Sequence, residues 1–258
     1  MAVIIAIANQ KGGVGKTTTS VNLAASLAVA DQKTLLVDMD PQGNACSGVG
    51  IDVNEPEYTV YDVLMNSDLG IANAVIETQV PQLDIIPSNS DLIGAEIELV
   101  GEEGREEKLK RKLGHISDSY DYIIIDCPPS LGLLTVNALV AAATVIVPLQ
   151  CEYYAMEGLS RLTQTINLIK KQLNEELCID GIVLTMFDKR NNLSHQVSDE
   201  VRQHFKQQVF NTVIPRNVRL SESPSYGMPV LMYDIGSSGA KAYLDLAREL
   251  MQRNGNHG

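Results

Sequence analysis

The chain has 258 residues, and 20 Lys+Arg against 32 Asp+Glu leave a formal charge of −12. That length suits one large domain or at most two small ones, and 45% hydrophobic with 20% charged residues excludes a disordered or fibrous chain. The cysteines (Cys46, Cys127, Cys151, Cys178) form no CxxC pair and no run approaches about eighteen apolar residues, so neither a disulfide framework, a local zinc site nor a membrane span is indicated. The first residues run straight into an apolar stretch with no charged leader, and a soluble cytoplasmic protein is the expectation.

From the amino terminus, apolar β-branched residues predict a strand at Val3–Ala8, then a helix at Lys16–Ala30 and a strand at Thr34–Asp38. A strand at Leu83–Pro87, one long helix at Asp91–Leu113 and a strand at Tyr122–Asp126 follow. Helix Leu133–Ala142, strand Thr144–Leu149, helix Ala155–Leu173 and strand Ile179–Thr185 continue the alternation. Helix Ser194–Gln208, strand Val209–Ile214 and helix Ala240–Gln252 complete it. Such alternation builds parallel βαβ units. Strands apolar on both faces, such as YIIID ending at Asp126, belong under helices on each side. The expected fold is therefore α/β, a doubly wound, mostly parallel sheet with helices on both faces, in one continuous domain over 1–258. The densest charge run, GEEGREEKLKRK at 101–112, reads as a solvated helix face of paired acids and bases.

Charge is unevenly spread. Residues 181–258 carry three Lys and six Arg against seven acids, a net +2, which leaves −14 for the remainder. Net charge governs long-range steering, whereas phosphate binding needs only a local basic patch, so DNA binding through the last third stays open. Its positive charge comes mostly from Lys189, Arg190, Arg202, Lys206, Arg216 and Arg219.

The sharpest feature is Gly12-Gly13-Val14-Gly15-Lys16-Thr17-Thr18, directly after the first strand and opening the first helix. Glycines let the backbone curl so that successive N–H groups face a phosphate, with the helix N-terminus adding positive potential. Lys16 can reach the outer phosphates of a nucleotide, and the Thr17 hydroxyl can ligate Mg²⁺. Gly15-Lys16-Thr17 fits the tail of the ordinary GxxxxGK[ST] loop, but Gln10 stands where its leading Gly belongs and Lys11 is the next residue. Asp126 closes an apolar strand and can hold Mg²⁺ through water. Asp38 and Asp40 lie at the end of the second strand, where open α/β sheets place their ligands.

KGGVGKTT resembles the deviant Walker A loop of the ParA/MinD ATPases. DMDPQGNA (38–45), DCPPSLG (126–132), CEYYAMEGL (151–159) and IPRNVRLSESPSYGMP (214–229) make nearly the whole chain similar to short ParA/Soj chromosome-partitioning ATPases. Because the sequence opens on the phosphate-loop strand, the expectation is a domain without the N-terminal helix-turn-helix extension of longer plasmid relatives. The resemblance implies an ATP-dependent sandwich homodimer, in which Lys11 reaches phosphates bound by the other subunit and Gly12 lies at the same interface. It implies ATP and Mg²⁺ as cofactors, with Gly13, Val14, Gly15, Lys16, Thr17 and Thr18 around the phosphates and Thr17 and Asp126 on the metal. Asp40 would activate the attacking water, and Pro215 and Asn217 would contact adenine. Arg190 and Arg219 would bind double-stranded DNA nonspecifically once the dimer forms, placing the protein on the nucleoid. Weak hydrolysis to ADP and phosphate would be stimulated by a ParB-like centromere-binding protein, with no membrane involved.

Two other readings stay open. A MinD-like positioning ATPase would need a C-terminal basic amphipathic helix, against which the tail QRNGNHG weighs. A metabolic P-loop enzyme, or an iron–sulfur reductase using Cys127, is the other, although the isolated cysteines read as small buried residues. His115, His195, His204 and His257 form no ligand spacing and read as surface residues.

Overall fold

The computed structural model describes residues 1–255, so His257 and the last residues of the tail lie outside the described residues. The strands are β1 (Val3–Ile7), β2 (Thr34–Asp38), β3 (Ile76–Glu77), β4 (Leu83–Ile86), β5 (Tyr122–Asp126), β6 (Thr144–Gln150), β7 (Cys178–Phe187) and β8 (Val209–Pro215). The longer helices are α1 (Lys16–Val29), α6 (Leu133–Ala141), α7 (Ala155–Gln172), α8 (Asn192–Phe205) and α11 (Ser238–Gly255). Shorter ones are α2 (Asn44–Gly48), α3 (Val60–Met65), α4 (Leu92–Glu98), α5 (Lys108–Leu113), α9 (Val218–Glu222) and α10 (Val230–Tyr233).

The strands form one sheet in the order β3-β4-β2-β5-β1-β6-β7-β8. All pairings are parallel except β3 with β4. β1 lies between β5 and β6, and the chain crosses over β1 on its way from β5 to β6. The C-terminal end of β1 is thus a switch point, where such sheets open a crevice.

Alternate residues of each central strand face opposite cores, as the two-residue period requires. Ala6, Leu35, Val37, Ile123, Ile125, Val145 and Val147 pack toward α3 to α8. Ile5, Ile7, Leu36, Ile124, Ile146 and Val183 pack toward α1, α2 and α11. The doubly wound sheet expected from the sequence is the fold observed.

The helix expected at Asp91–Leu113 is broken. It runs Leu92–Glu98, passes through short 3₁₀ turns at Leu99–Gly101 and Arg105–Glu107, and resumes at Lys108. Gly104 takes a left-handed φ of 68° at the break, a conformation that interrupts a helix. Asn137 of α6 then fixes the restart, donating to the Arg105 carbonyl at 2.8 Å and accepting from the Leu109 amide at 3.2 Å. The charge run is not simply a solvated face either. Lys112 donates to the carbonyls of Asn66, Ser67 and Leu69 at 2.8, 3.0 and 2.6 Å, covering the exit of α3, and Lys108 reaches the Leu64 carbonyl at 3.2 Å. Glu107 and Arg111 make the expected one-turn pair at 2.9 Å. Cys46, Cys127 and Cys151 are buried, but Cys178, expected inside, is exposed at the start of β7. His115, His195 and His204 are exposed.

The edge strand β8 carries a built-in repair. Its register against β7 slips between Val209 and Val213, which leaves intervening backbone amides without a strand partner. Glu249 of α11 takes them, accepting from Asn211 N at 2.8 Å and Thr212 N at 2.9 Å, and it also pairs with Arg253 at 2.9 Å. Burial pushes the Glu249 carboxyl up, but these donors outweigh it and hold the group below its ordinary value. A depressed carboxyl stabilises the fold above the unfolded-state value, and that contribution is lost as pH falls. Glu249→Ala is expected to destabilise the chain by about 2–3 kcal/mol at neutral pH in urea unfolding, and by progressively less below about pH 4.

Candidate active site

Between β1 and α1 the chain turns through Gly13 and Gly15, with φ of 74° and 87°. A Cβ on Gly15 would meet nothing nearer than 4.0 Å, so conformation rather than space demands glycine there. The turn is tied down at both ends. The Asn9 side chain donates to the Pro148 carbonyl at 2.7 Å and accepts from Lys11 N at 3.0 Å, while the Thr185 hydroxyl donates to the Val14 carbonyl at 2.7 Å.

Lys16 is the first residue of α1 and is buried. Its ammonium donates to the Lys11 carbonyl at 3.2 Å. Burial lowers its proton affinity, partly opposed by the nearby Asp126 and Asp40 charges. Thr17 and Ser20, three residues apart on one helix face, donate to the two oxygens of Asp126 at 2.8 and 2.7 Å. Asp126 pairs in register with Asp38 across adjacent strands, and both are fully buried. Burial raises both carboxyls above the ordinary range, Asp126 further raised by the charge of Asp38.

Asp38 is held by its own loop. One oxygen accepts from Asp40 N at 3.1 Å, the other from the amides of Ala45 and Cys46 at 3.0 and 3.1 Å. Asp40 accepts from Gln42 N at 3.0 Å. Gly12, Gly13, Gly15, Lys16, Thr17, Thr18, Asp40 and Pro129 line one cavity of about 410 Å³. A second cavity of about 340 Å³ shares Gly15, Thr18 and Met186 with it and is walled by Pro215, Asn217, Leu220, Pro224 and Tyr243. Met186 adopts a left-handed φ of 50° at this junction.

Lys11 lines neither cavity. It points to Glu152, with which it forms an ion pair, and a Cβ on Gly12 would meet nothing within 4 Å. The Asn217 side chain caps α9, accepting from Arg219 N at 2.8 Å, and donates to the Ser238 hydroxyl at 2.7 Å. Arg190 follows β7 and Arg219 follows β8, at the same end of the sheet as the glycine loop. Arg190 pairs with Asp188 at 3.3 Å and its side chain is 92% exposed. Arg219 pairs with Glu222 and Asp234 at 2.8 and 3.2 Å. Sequence reasoning assigned nothing to Ser20, Glu152 or Met186. Ser20 was legible as the residue one helical turn beyond Thr17, whereas the other two carry no local signal.

A glycine-turned loop opening a helix at the switch point, with a buried lysine and a strand-end carboxylate, defines the P-loop nucleoside triphosphatase class. A family model described as an AAA domain matches residues 2–179. The chain is 59% identical to the chromosome partitioning protein ParA of Myxococcus xanthus, over 97% of this chain and 88% of that one. It is 57% identical to the sporulation initiation inhibitor protein Soj of Bacillus subtilis, over 97% and 98%. The Mycobacterium smegmatis cobyrinic acid a,c-diamide synthase, solved with an ATP analog and magnesium, shares the fold at TM-score 0.87 and 36% identity, over 100% of this chain and 98% of that one. The chain belongs to the ParA/Soj family of chromosome-partitioning ATPases.

The raised carboxyls make a stability statement. A folded-state value above the unfolded one means that ionisation costs stability, increasingly as pH climbs from about 4 through the raised value. Asp126→Asn removes one of the two charges, and Ser20 can still use its 3.1 Å bond to the Lys16 carbonyl. Without nucleotide or divalent cation, Asp126→Asn is expected to stabilise the chain at neutral pH by about 1–2 kcal/mol. Thermal unfolding across pH 5–8 checks it, the gain shrinking toward the acid end.

Proposed function

We propose that this chain, working as one ATPase unit over residues 1–258, binds ATP with Mg²⁺ and hydrolyses it slowly to ADP and phosphate. The bound triphosphate would join two copies into a dimer that holds DNA nonspecifically, until a ParB-like partner stimulates hydrolysis and release. The observation that carries this reading is the convergence of Lys16, Thr17 and Asp40 on one cavity beside a helix N-terminus, with the buried Asp126 directly behind Thr17.

The residues suit a divalent cation. Asp126 and Asp38 bring two buried carboxyls beside one buried lysine, and the Thr17 hydroxyl already faces Asp126. Among the described residues no three His, Cys, Asp or Glu side chains form a metal cage, which suits an ion completed by phosphate and water oxygens. Thr17 and Asp126 would hold Mg²⁺, which supplies charge neutralisation along the triphosphate.

The amides of Gly13, Val14, Gly15, Lys16, Thr17 and Thr18 would cradle the phosphates, and Lys16 would give up the Lys11 carbonyl for phosphate oxygens. Asp40 has one oxygen engaged by Gln42 N and would use the other to orient the attacking water. The adjoining cavity would take adenine against Pro215, with Asn217 positioned beside it by its cap. Lys11, once released from Glu152, would stabilise developing charge on the partner's phosphoryl group. The open space at Gly12 suits close approach of a second backbone. Arg190 and Arg219 hold exposed ion pairs, which phosphate can replace, and doubling the patch in a dimer multiplies affinity.

Asp40→Ala is expected to keep ATP-dependent dimers while losing hydrolysis by at least about 10²-fold, read by phosphate release beside light scattering. Normal phosphate release by that variant would refute the role of Asp40. DNA binding measured with ATP, ADP and no nucleotide should appear with ATP alone, fall with salt, and drop in Arg190→Glu and Arg219→Glu while their ATP-dependent dimers persist.

A further inference from the structure

The loop that carries Asp40 is anchored from outside itself. The Asp40 carboxylate lines the phosphate cavity, so the position of its backbone decides where that carboxylate aims. Ser88, two residues past the end of β4, is fully buried, and its hydroxyl donates to the Asp40 carbonyl. The Ser88 amide also donates to the Cys46 sulfur at 3.4 Å, and the Cys46 thiol donates to Asp38 at 3.2 Å. Asp38 in turn accepts from Asp40 N at 3.1 Å. A closed ring therefore runs Asp40, Ser88, Cys46, Asp38 and back to Asp40, and every member is buried.

Asp38 ends β2, Cys46 lies in α2 and Asp40 sits in the loop between them, so the Asp38 bond to Asp40 N holds the loop only on the amino-terminal side of Asp40. Ser88, beyond β4, is the member that comes from a distant part of the chain, and it grips the peptide on the C-terminal side of Asp40, whose carbonyl also accepts from Gly43 N at 3.0 Å within the loop. A buried hydroxyl bonded to a buried carbonyl has no water to exchange with, so the contact is held. We infer that Ser88 is a positioning residue for hydrolysis: it fixes Asp40 at the distance from the phosphate cavity that water activation needs. This rests on the reading of Asp40 given above, because Ser88 itself touches neither water nor nucleotide. A misplacement of about 1 Å in a catalytic group is enough to cost up to about 10²-fold in rate.

In the full chain, Ser88→Ala is expected to lower kcat for ATP hydrolysis about tenfold. KM for ATP, and the ATP concentration giving half-maximal dimer formation, should stay within about twofold, because the groups assigned to phosphate binding are untouched. Ser88→Cys, near-isosteric with a weaker donor, should fall between Ser88→Ala and the parent chain in kcat. An unchanged kcat overturns the inference, as does a loss matched by raised KM or weakened dimers, which would mark general damage to the fold. If melting shows Ser88→Ala unfolded, the same split measured on Ser88→Cys decides. Failure of the parent chain to turn over ATP would instead overturn the function on which the inference rests.

Discussion

Thr17 and Ser20 stand one above the other on the first turns of α1, and both donate to the carboxylate of Asp126 at the end of β5. An ionised acid with no exposure is tolerated only where its lone pairs are filled. These two hydroxyls each bond one oxygen of Asp126, and in doing so dock the helix against the sheet. Because α1 begins where the glycine turn ends, the same contact sets the direction in which the loop amides and Lys16 point. The Asn9–Pro148 and Thr185–Val14 bonds hold the other side of the turn. Loop, helix and sheet are therefore one rigid frame before any ligand arrives, which is how a site avoids reorganising during reaction.

Asp38 and Asp126 occupy equivalent positions on adjacent strands, yet their surroundings differ. Asp38 accepts three backbone amides and a thiol from the loop and helix α2 that follow it, bonds available only while that segment keeps its shape. Asp126 accepts two side-chain hydroxyls, groups that can rotate toward another acceptor. The first carboxylate is suited to holding a loop and the second to facing a ligand, a division set by environment rather than residue type. Cys127, beside Asp126, has its thiol pushed up by burial and by the charge of Asp126, the behaviour of a packed residue rather than a reactive one.

Much of the fold was legible because its central strands are short apolar runs and its long helices keep a helical period. β2 and β5 begin and end where expected, and the others shift by only a residue or two. The failures have two causes. β3 has two residues and α10 four, too few for any period to register. The helix predicted through residues 91–113 has an adequate pattern, but Gly104 and the Asn137 side chain interrupt it through a turn and a distant contact. Lys112 was readable as a charge but not as the group that covers the carbonyls leaving α3.

The glycine turn, the lysine that opens α1 and the carboxylate that closes β5 were legible in the sequence alone, since a strand, loop and helix in that order carry a local pattern of spacing. So was the doubly wound sheet, because alternation of strand and helix admits few other packings. Tertiary structure alone decided that Lys11 rests on Glu152, that Asn217 caps α9, and that Ser88 grips the loop of Asp40. The Lys11 and Ser88 contacts join residues 141 and 48 positions apart. Even the local Asn217 cap depends on how the chain leaves β8, an edge strand whose slipped register is completed by Glu249 from α11. Pairings of that kind leave no period or motif in the chain, because only the folded sheet brings their members within reach.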